Sequence, residues 1–419
     1  MRPVGAAISI RLLFCTSLLM LGTLAVDAQN PDPAQRLAGV RSRVLATLDK
    51  VRAISCGETI ERSYLRPSNP IHKTCDQLHV DFKRGRIKEN AYATDRVHLR
   101  VFIDSGSEVE GWIDSLPFEW HTADEVRLSG PFGTGPLAGF LSSIFVTSGT
   151  TIEFTGSEDG SLEYRFRKSE RASNYLARAG NEWVTTGNGG TFFIDPASLI
   201  LQKLVVETST LSPETSACET DTTVNYAMTR IGADDVLLPR EAEWQNLLPD
   251  GGETVSRVTY SSCAAVRPPA PSSHAAPAFP PNLPIRLAFD EAIDLDTAAA
   301  GDIVSATVTT PVSLHSQQPL VGIGAKARGR ILNLEHRPDR GGFFLVAISF
   351  DTLESVAGAV PVHMVLENGF DADDPISKRV TKGGPEVRHP ARWPELTLVV
   401  RDNRHTIPAG FQSRWVTAK

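Results

Sequence analysis

Apolar residues in this chain return at every second position over long stretches. That spacing puts them on one face of a strand and commits most of the chain to sheet with a single buried face. Val97, Leu99, Val101 and Ile103 skip over His98, Arg100 and Phe102, and Leu162, Tyr164 and Phe166 skip over Glu163 and Arg165. Leu78, Val80 and Phe82 alternate with His79 and Asp81 and read as a further strand, and three more are expected at 222–231, 234–244 and 253–262. Turn residues such as Asp104-Ser105-Gly106, Glu158-Asp159-Gly160 and Asn188-Gly189-Gly190 separate the strands. Two segments change to helical spacing. Leu37, Val40, Val44, Leu48 and Val51 follow Asp32 as an N-cap and Pro33 in the first turn. Leu137, Phe140, Leu141, Ile144 and Phe145 form an almost uncharged stripe within the glycine-bounded stretch 130–149. An apolar helix among strands packs on the concave side of their sheet or else exposes its stripe. The expected class is mostly β: one large curved antiparallel sheet covered by two helices, followed by a second strand-rich domain.

A composition break divides the two. Residues 264–284, AAVRPPAPSSHAAPAFPPNLP, hold seven prolines and read as a semi-rigid linker. Beyond it, strands are expected at 303–309, 343–350, 359–366, 395–401 and 411–417. The opening residues carry Arg2 and Arg11, an apolar run from Leu12 to Val26 too short to span a bilayer comfortably, and a small residue at Ala28. This is the pattern of a secretory signal peptide. The predicted organisation is a signal peptide at 1–28, a first domain at 29–263, the linker at 264–284 and a barrel at 285–419, in a protein exported to the periplasm or secreted. No other apolar run approaches the ~20 residues of a spanning helix, so no transmembrane segment is expected in the mature chain. A formal net charge of −7 disfavours nucleic acid as a partner. Cys56, Cys75, Cys218 and Cys263 remain beyond the leader, an even number that suggests two disulfides in an oxidising compartment. Three connectivities are possible, and closure of local loops favours Cys56–Cys75 with Cys218–Cys263.

An N-terminal helix, a run of antiparallel strands and a central apolar helix resemble the periplasmic lipoprotein-carrier (LolA-like) fold over residues 32–263. The step Gly190-Thr191-Phe192-Phe193-Ile194-Asp195-Pro196, then Leu201-Gln202-Lys203-Leu204, and the stretch Val236-Leu237-Leu238-Pro239-Arg240-Glu241 carry the likeness. It implies an open half-barrel whose concave face, lidded by helices, holds acyl chains. The run Cys56-Gly57-Glu58-Thr59-Ile60-Glu61-Arg62, the step Cys75-Asp76-Gln77 and the run Pro213 to Glu219 are similar to a broader set of secreted bacterial proteins that brings no activity with it. In the second half, Ala300-Gly301-Asp302, Leu320 to Ala325 and Gly329-Arg330 resemble the β-barrel of TrbI-like envelope proteins, without that family's usual proline at Gly322 or Ile323. That likeness implies assembly within the cell envelope.

The chemistry-bearing patterns are sparse. The chain has no Gly-x-Ser-x-Gly elbow, no His-Glu-x-x-His and no phosphate-binding loop followed by lysine. His79 and His98 are weighed as metal ligands but read more simply as solvent-facing strand residues, and Asp371, Asp373 and Asp374 read as a solvated turn. Glu58 with Glu61, or Asp76 with Asp81, are the carboxylate pairs weighed for acid–base chemistry. No catalytic residue, metal or cofactor is assigned. The candidates for lining an apolar ligand cavity are Trp112, Phe118, Trp120, Leu137, Phe140, Leu141, Ile144, Phe145, Trp183 and Phe192. The same residue types also build a closed core. The expectation is an exported, non-catalytic binding protein for lipid, lipoprotein or another hydrophobic ligand. The alternative is an envelope assembly protein whose C-terminal barrel docks on a partner protein.

Overall fold

The computed structural model describes residues 32–104, 106–113, 133–179, 182–208, 211, 215, 217–265, 279–313, 319–355, 358–367, 397–401 and 403–418. The first helix, α1 (Pro33–Val51), starts as its sequence predicts. Asp32 accepts the Ala34 N–H at 3.2 Å, and Val40, Val44, Thr47 and Val51 are buried along one stripe. Then follow β1 (Ile54–Pro67), α2 (Cys75–Lys83), β2 (Glu89–Asp104), β3 (Ser107–Trp112), α3 (Gly139–Phe145), β4 (Thr150–Glu158) and β5 (Ser161–Lys168). A separate hairpin, β6 (Tyr175–Ala179) with β7 (Glu182–Thr186), precedes β8 (Asn188–Ile194), β9 (Leu201–Glu207), β10 (Glu219–Ile231), β11 (Asp234–Leu247) and β12 (Glu253–Ala265). All but the hairpin pair antiparallel in the spatial order β4-β5-β8-β9-β10-β11-β12-β1-β2-β3, an open curved sheet with β3 and β4 at its ends.

The remaining strands are β13 (Pro284–Phe289), β14 (Ile293–Asp294), β15 (Ile303–Val308), β16 (Lys326–Arg337), β17 (Phe343–Ser355), β18 (Gly358–Leu366), β19 (Leu398–Arg401), β20 (Thr406–Ile407) and β21 (Gln412–Thr417). The cycle β13-β15-β16-β17-β18-β21-β13 closes a six-stranded antiparallel barrel. Its own core is built on Phe289, Phe350, Met364 and Trp415, with the Phe350 and Trp415 rings edge to face at 4.8 Å. The mostly-β class, the half-barrel under helices and the second small barrel are as expected.

Two expectations fail for identifiable reasons. Residues 78–82 form part of helix α2, not a strand. Thr74 and Gln77 make a reciprocal capping box, Leu78 is buried, and Val80 faces out at 42% exposure. A run of five residues is too short for its alternation to outweigh that cap. The disulfides are Cys56–Cys263 and Cys75–Cys218, not the local pairs. Strand β1 lies beside β12, with Ser55 opposite Ala264 and Gly57 opposite Ser261, so Cys56 meets Cys263 across 207 residues of chain. Helix α2 rests near the start of β10, where Leu78, Cys218 and Leu247 form a small cluster.

The barrel joins the open sheet along β2. The upper part of that strand's edge, Leu99–Asp104, pairs with β3, while Thr94 and Asp95 pair with His336 and Glu335 of β16. Between them, Ala300 donates to the Arg96 carbonyl (2.9 Å) and accepts from the His98 N–H (2.7 Å). Gly301 permits this approach. Its φ is +105°, and a Cβ there would stand 2.2 Å from the His98 carbonyl oxygen. Arg62 on β1 forms a bidentate pair with Asp95 (2.6 and 2.7 Å), to which Tyr64 also donates at 3.0 Å. Glu335 and Arg337 of β16 pair with each other alongside. Burial opposes the Arg62 charge, but Asp95, Tyr64 and Glu335 more than offset it, so the guanidinium pKa lies above its ordinary value. Asp95→Ala would strand Arg62 without its carboxylate. The expected loss is about 3–5 kcal/mol, read as a lower urea midpoint, and a change under 1 kcal/mol would contradict this account.

Candidate functional site

The concave face of the open sheet is the place where sequence patterning and structure converge. Strand phase sends Leu99 and Val101 of β2, Tyr164 and Phe166 of β5, Phe192 of β8 and Leu204 of β9 inward, and all are nearly inaccessible. Helix α3 lies against them. Phe145 meets Phe192 edge to face at 5.1 Å, Phe192 stacks on Tyr164 at 5.2 Å, and Phe140 stacks on Tyr175 at 6.3 Å. Leu137, in the turn before α3, and Leu141 and Ile144 within it complete the same cluster. Six of the candidate cavity residues are thus brought together: Leu137, Phe140, Leu141, Ile144, Phe145 and Phe192. Trp112 is half-buried at the edge of this cluster, with the Arg330 guanidinium 5.9 Å from its ring centre. Trp183 stands apart on β7 at 47% exposure. Phe118 and Trp120 lie outside the described residues, as do Asp371, Asp373 and Asp374.

Helix α3 carries no charge of its own and has no side-chain N-cap. The sheet supplies both ends. At its start, the Glu108 carboxylate accepts N–H groups from Gly135 (2.6 Å), Ala138 (2.8 Å) and Gly139 (3.2 Å). At its end, the buried Lys168 ammonium donates to the Ser143 carbonyl (2.9 Å), the Ser143 hydroxyl (3.2 Å) and the Thr147 hydroxyl (2.6 Å). An anion at the N-terminal end and a cation at the C-terminal end match the helix dipole. Desolvation lowers the Lys168 pKa. Tyr226 donates to the Pro136 carbonyl at 2.8 Å and fixes the turn ahead of the helix. Gly135 sits at φ +127°, where a Cβ would press within 2.8 Å of the Phe140 ring.

Two further carboxyl groups lie beneath that turn. Glu58 projects inward from β1, opposite Tyr260 of β12, whose hydroxyl hydrogen-bonds it. Glu110 is 1% exposed on β3, and its Oε2 has no hydrogen-bond partner among the described residues. Burial, reinforced by the Glu108 charge, pushes the Glu58 carboxyl up to about 8. Burial likewise raises Glu110, with the charges of Glu58 and Glu108 adding to it. Glu108 is raised by burial and pulled back by its backbone donors. The N–H groups around Glu108 favour its charged form, whereas burial favours protons on Glu58 and Glu110. Among the described residues no group of three or more His, Cys, Asp or Glu is placed to hold a metal ion.

The pairs weighed from sequence are not brought together. His79, on α2 instead of a strand, bonds Glu219, whereas His98 bonds Asp302 at 2.7 Å. Glu61 is held by Arg96 on the outer face of β1, opposite to Glu58, and Asp81 is tied to Lys73 and Arg86. Glu108, Glu110 and Lys168 escaped the sequence reading, although strand phase marks them. Glu108 and Glu110 share the parity of inward Trp112, and Lys168 that of Tyr164 and Phe166.

A cleft of about 140 Å³ runs between α1 and strands β9 to β11, lined by Val40, Val44, Leu199, Met228 and Leu237. Small-molecule sites commonly enclose roughly 300–1,000 Å³, so this cleft is smaller than a typical one.

No protein-family model matches the chain, and no curated protein matches it. Among solved structures it is similar to a LolA superfamily protein from Nitrosomonas europaea (12% identity, 55% of this chain and 94% of that one, TM-score 0.25). It is similar as well to a DUF1329 family protein from Desulfovibrio piger (10% identity, 56% and 95%, TM-score 0.25). A third likeness is to a domain named for outer membrane lipoprotein sorting from Vibrio parahaemolyticus (12% identity, 55% and 92%, TM-score 0.25). The first of these is named for the superfamily that residues 32–263 resemble. At that TM-score they carry no argument about this chain's function.

The raised carboxyl makes a pH prediction. The folded state holds the Glu58 proton more tightly than the unfolded chain, whose pKa stays near 4.5. That contribution is complete below the unfolded value and is lost as pH rises through about 8. Glu58→Gln is expected to flatten the fall in stability across this window by roughly 2–4 kcal/mol. Urea titrations of both proteins at several pH values measure it, and parallel pH profiles would refute it.

Proposed function

We propose that this protein is an exported, non-catalytic carrier that takes a hydrophobic ligand, a lipid or the acyl chains of a lipoprotein, onto the concave face of its open sheet. The observation that carries the reading is the way α3 is attached. It covers an aromatic surface with Phe140, Leu141, Ile144 and Phe145, yet polar groups hold its two ends: Glu108 accepts N–H groups at the start, Tyr226 donates to the turn before it, and Lys168 donates at the end. It can lift away without breaking a strand pairing. Lifting it would uncover Phe192, Tyr164 and the β2 valine and leucine side chains, a surface that demands an apolar occupant, since each buried side chain of this size is worth about 1.5–3 kcal/mol. The closed arrangement is then the unloaded one.

Native mass spectrometry of the mature protein, followed by organic extraction and lipid analysis, tests the reading. Bound acyl species are expected, and the Phe140→Glu, Phe145→Glu double variant should lose them while its circular dichroism keeps the strand signature. A clean apo mass together with no uptake of added fatty acid would sink the carrier reading. Loosening one end of α3 gives a second check. Lys168→Met deletes hydrogen bonds from a charged donor and should speed uptake of a dansyl-labelled fatty acid by on the order of tenfold. Unchanged uptake kinetics would mean that α3 is not the moving part.

A further inference from the structure

The two disulfides differ in access, and we propose that Cys75–Cys218 is a thiol–disulfide exchange site for an external dithiol, whereas Cys56–Cys263 exchanges far more slowly while the protein is folded. Cys56 is fully inaccessible on the inner face of β1, and Cys263 packs beside it against the main core. Exchange requires a thiolate to reach a sulfur; at this bond Cys56 is closed to it and Cys263 is only partly open. Cys75 is exposed, the first residue of α2, while its partner Cys218 is buried at the foot of β10. The chemistry therefore has a direction. An incoming thiolate bonds to the Cys75 sulfur, the bond to Cys218 breaks, and the electron pair leaves on Cys218, which takes a proton from water. The reagent's second thiolate then attacks its own sulfur in the mixed disulfide. It closes a disulfide within the reagent and releases Cys75 as a thiolate. Two electrons pass from the dithiol to the protein. The first turn of α2, ordered by the Thr74 and Gln77 capping box, offers N–H groups to the released thiolate, with Asp76 the one opposing charge in that turn.

Reduction would also have a local mechanical effect. Once the bond opens, what holds α2 among the described residues is the His79–Glu219 hydrogen bond, the pairing of Lys83 with Glu219 and Asp221, and the contacts of Leu78 and Phe82 with their apolar neighbours. A helix of nine residues has little stability without such support. The exchange site is thus a releasable clamp between α2 and β10.

The test uses the full oxidised protein in native buffer with low-millimolar dithiothreitol. Samples are quenched with acid, alkylated and mapped by peptide mass over time. Cys75 and Cys218 should label on the order of tenfold faster than Cys56 and Cys263. Equal rates, the reverse order, or no labelling before global unfolding would each overturn the proposal. On the selectively reduced protein, amide hydrogen exchange across residues 75–83 should rise several-fold while β1, β2 and β12 keep their protection. Unchanged protection in α2 would remove the clamp from the proposal.

Discussion

One strand edge organises this molecule. Strand β2 gives the upper part of its outer edge to β3 and the lower part to the barrel, through Ala300 and β16. Neither partner can slide without colliding with the other's segment, so the register of β2 fixes where the barrel sits. The charged groups nearby follow from that choice. Asp95 must point inward to keep phase with Val97 and Leu99, and an inward carboxylate at a junction between two sheets is costly unless paired. Arg62 pairs with it directly, while Glu335 and Arg337 form an ion pair alongside. Arg330 reaches back from the barrel to the Ile113 carbonyl at 2.6 Å. The junction is consequently polar and hydrogen-bonded, whereas the core on either side of it is apolar.

The same separation of tasks recurs at α3. Its body is apolar, and the groups that orient it are carried by strands whose own positions are held by backbone pairing. Glu108 is a fixed acceptor and Lys168 a fixed donor, and α3 is seated between them. Placing Glu58 and Glu110 next to Glu108 makes the attachment sensitive to the number of protons stored beneath it, since two ionised carboxylates in one apolar pocket repel strongly. The arrangement costs stability relative to an apolar core of the same shape. Such a cost is usual where a protein must retain a second arrangement.

Much of this was legible in the residues. The period-two runs located β2, β5 and the strands from β10 to β12, and Asp32-Pro33 located the start of α1. What failed was information that depends on neighbours distant in sequence. The 78–82 alternation lost to the Thr74 cap because a five-residue run satisfies both periods, and the cap was the better discriminator. The disulfides crossed the chain because strand order, which no local pattern encodes, set β1 beside β12. The inward parity of Glu108, Glu110 and Lys168 could have been read from Trp112 and Phe166. The weight given to aromatic residues obscured the charged ones on the same face.

The seating of β1 between β2 and β12 has a consequence for the order in which the molecule is made. Chains emerge from their N-terminus first, and β1 appears early, yet one of its two edges stays empty until residues 253–265 have arrived. Strand β2 waits longer still, for β16 at 326–337. Until then a long, regular edge and an apolar face are open to any passing strand, in an arrangement of high contact order that closes slowly. Biogenesis of this protein should therefore lean on chaperones that shield strand edges, most heavily in the interval between synthesis of β2 and synthesis of β12.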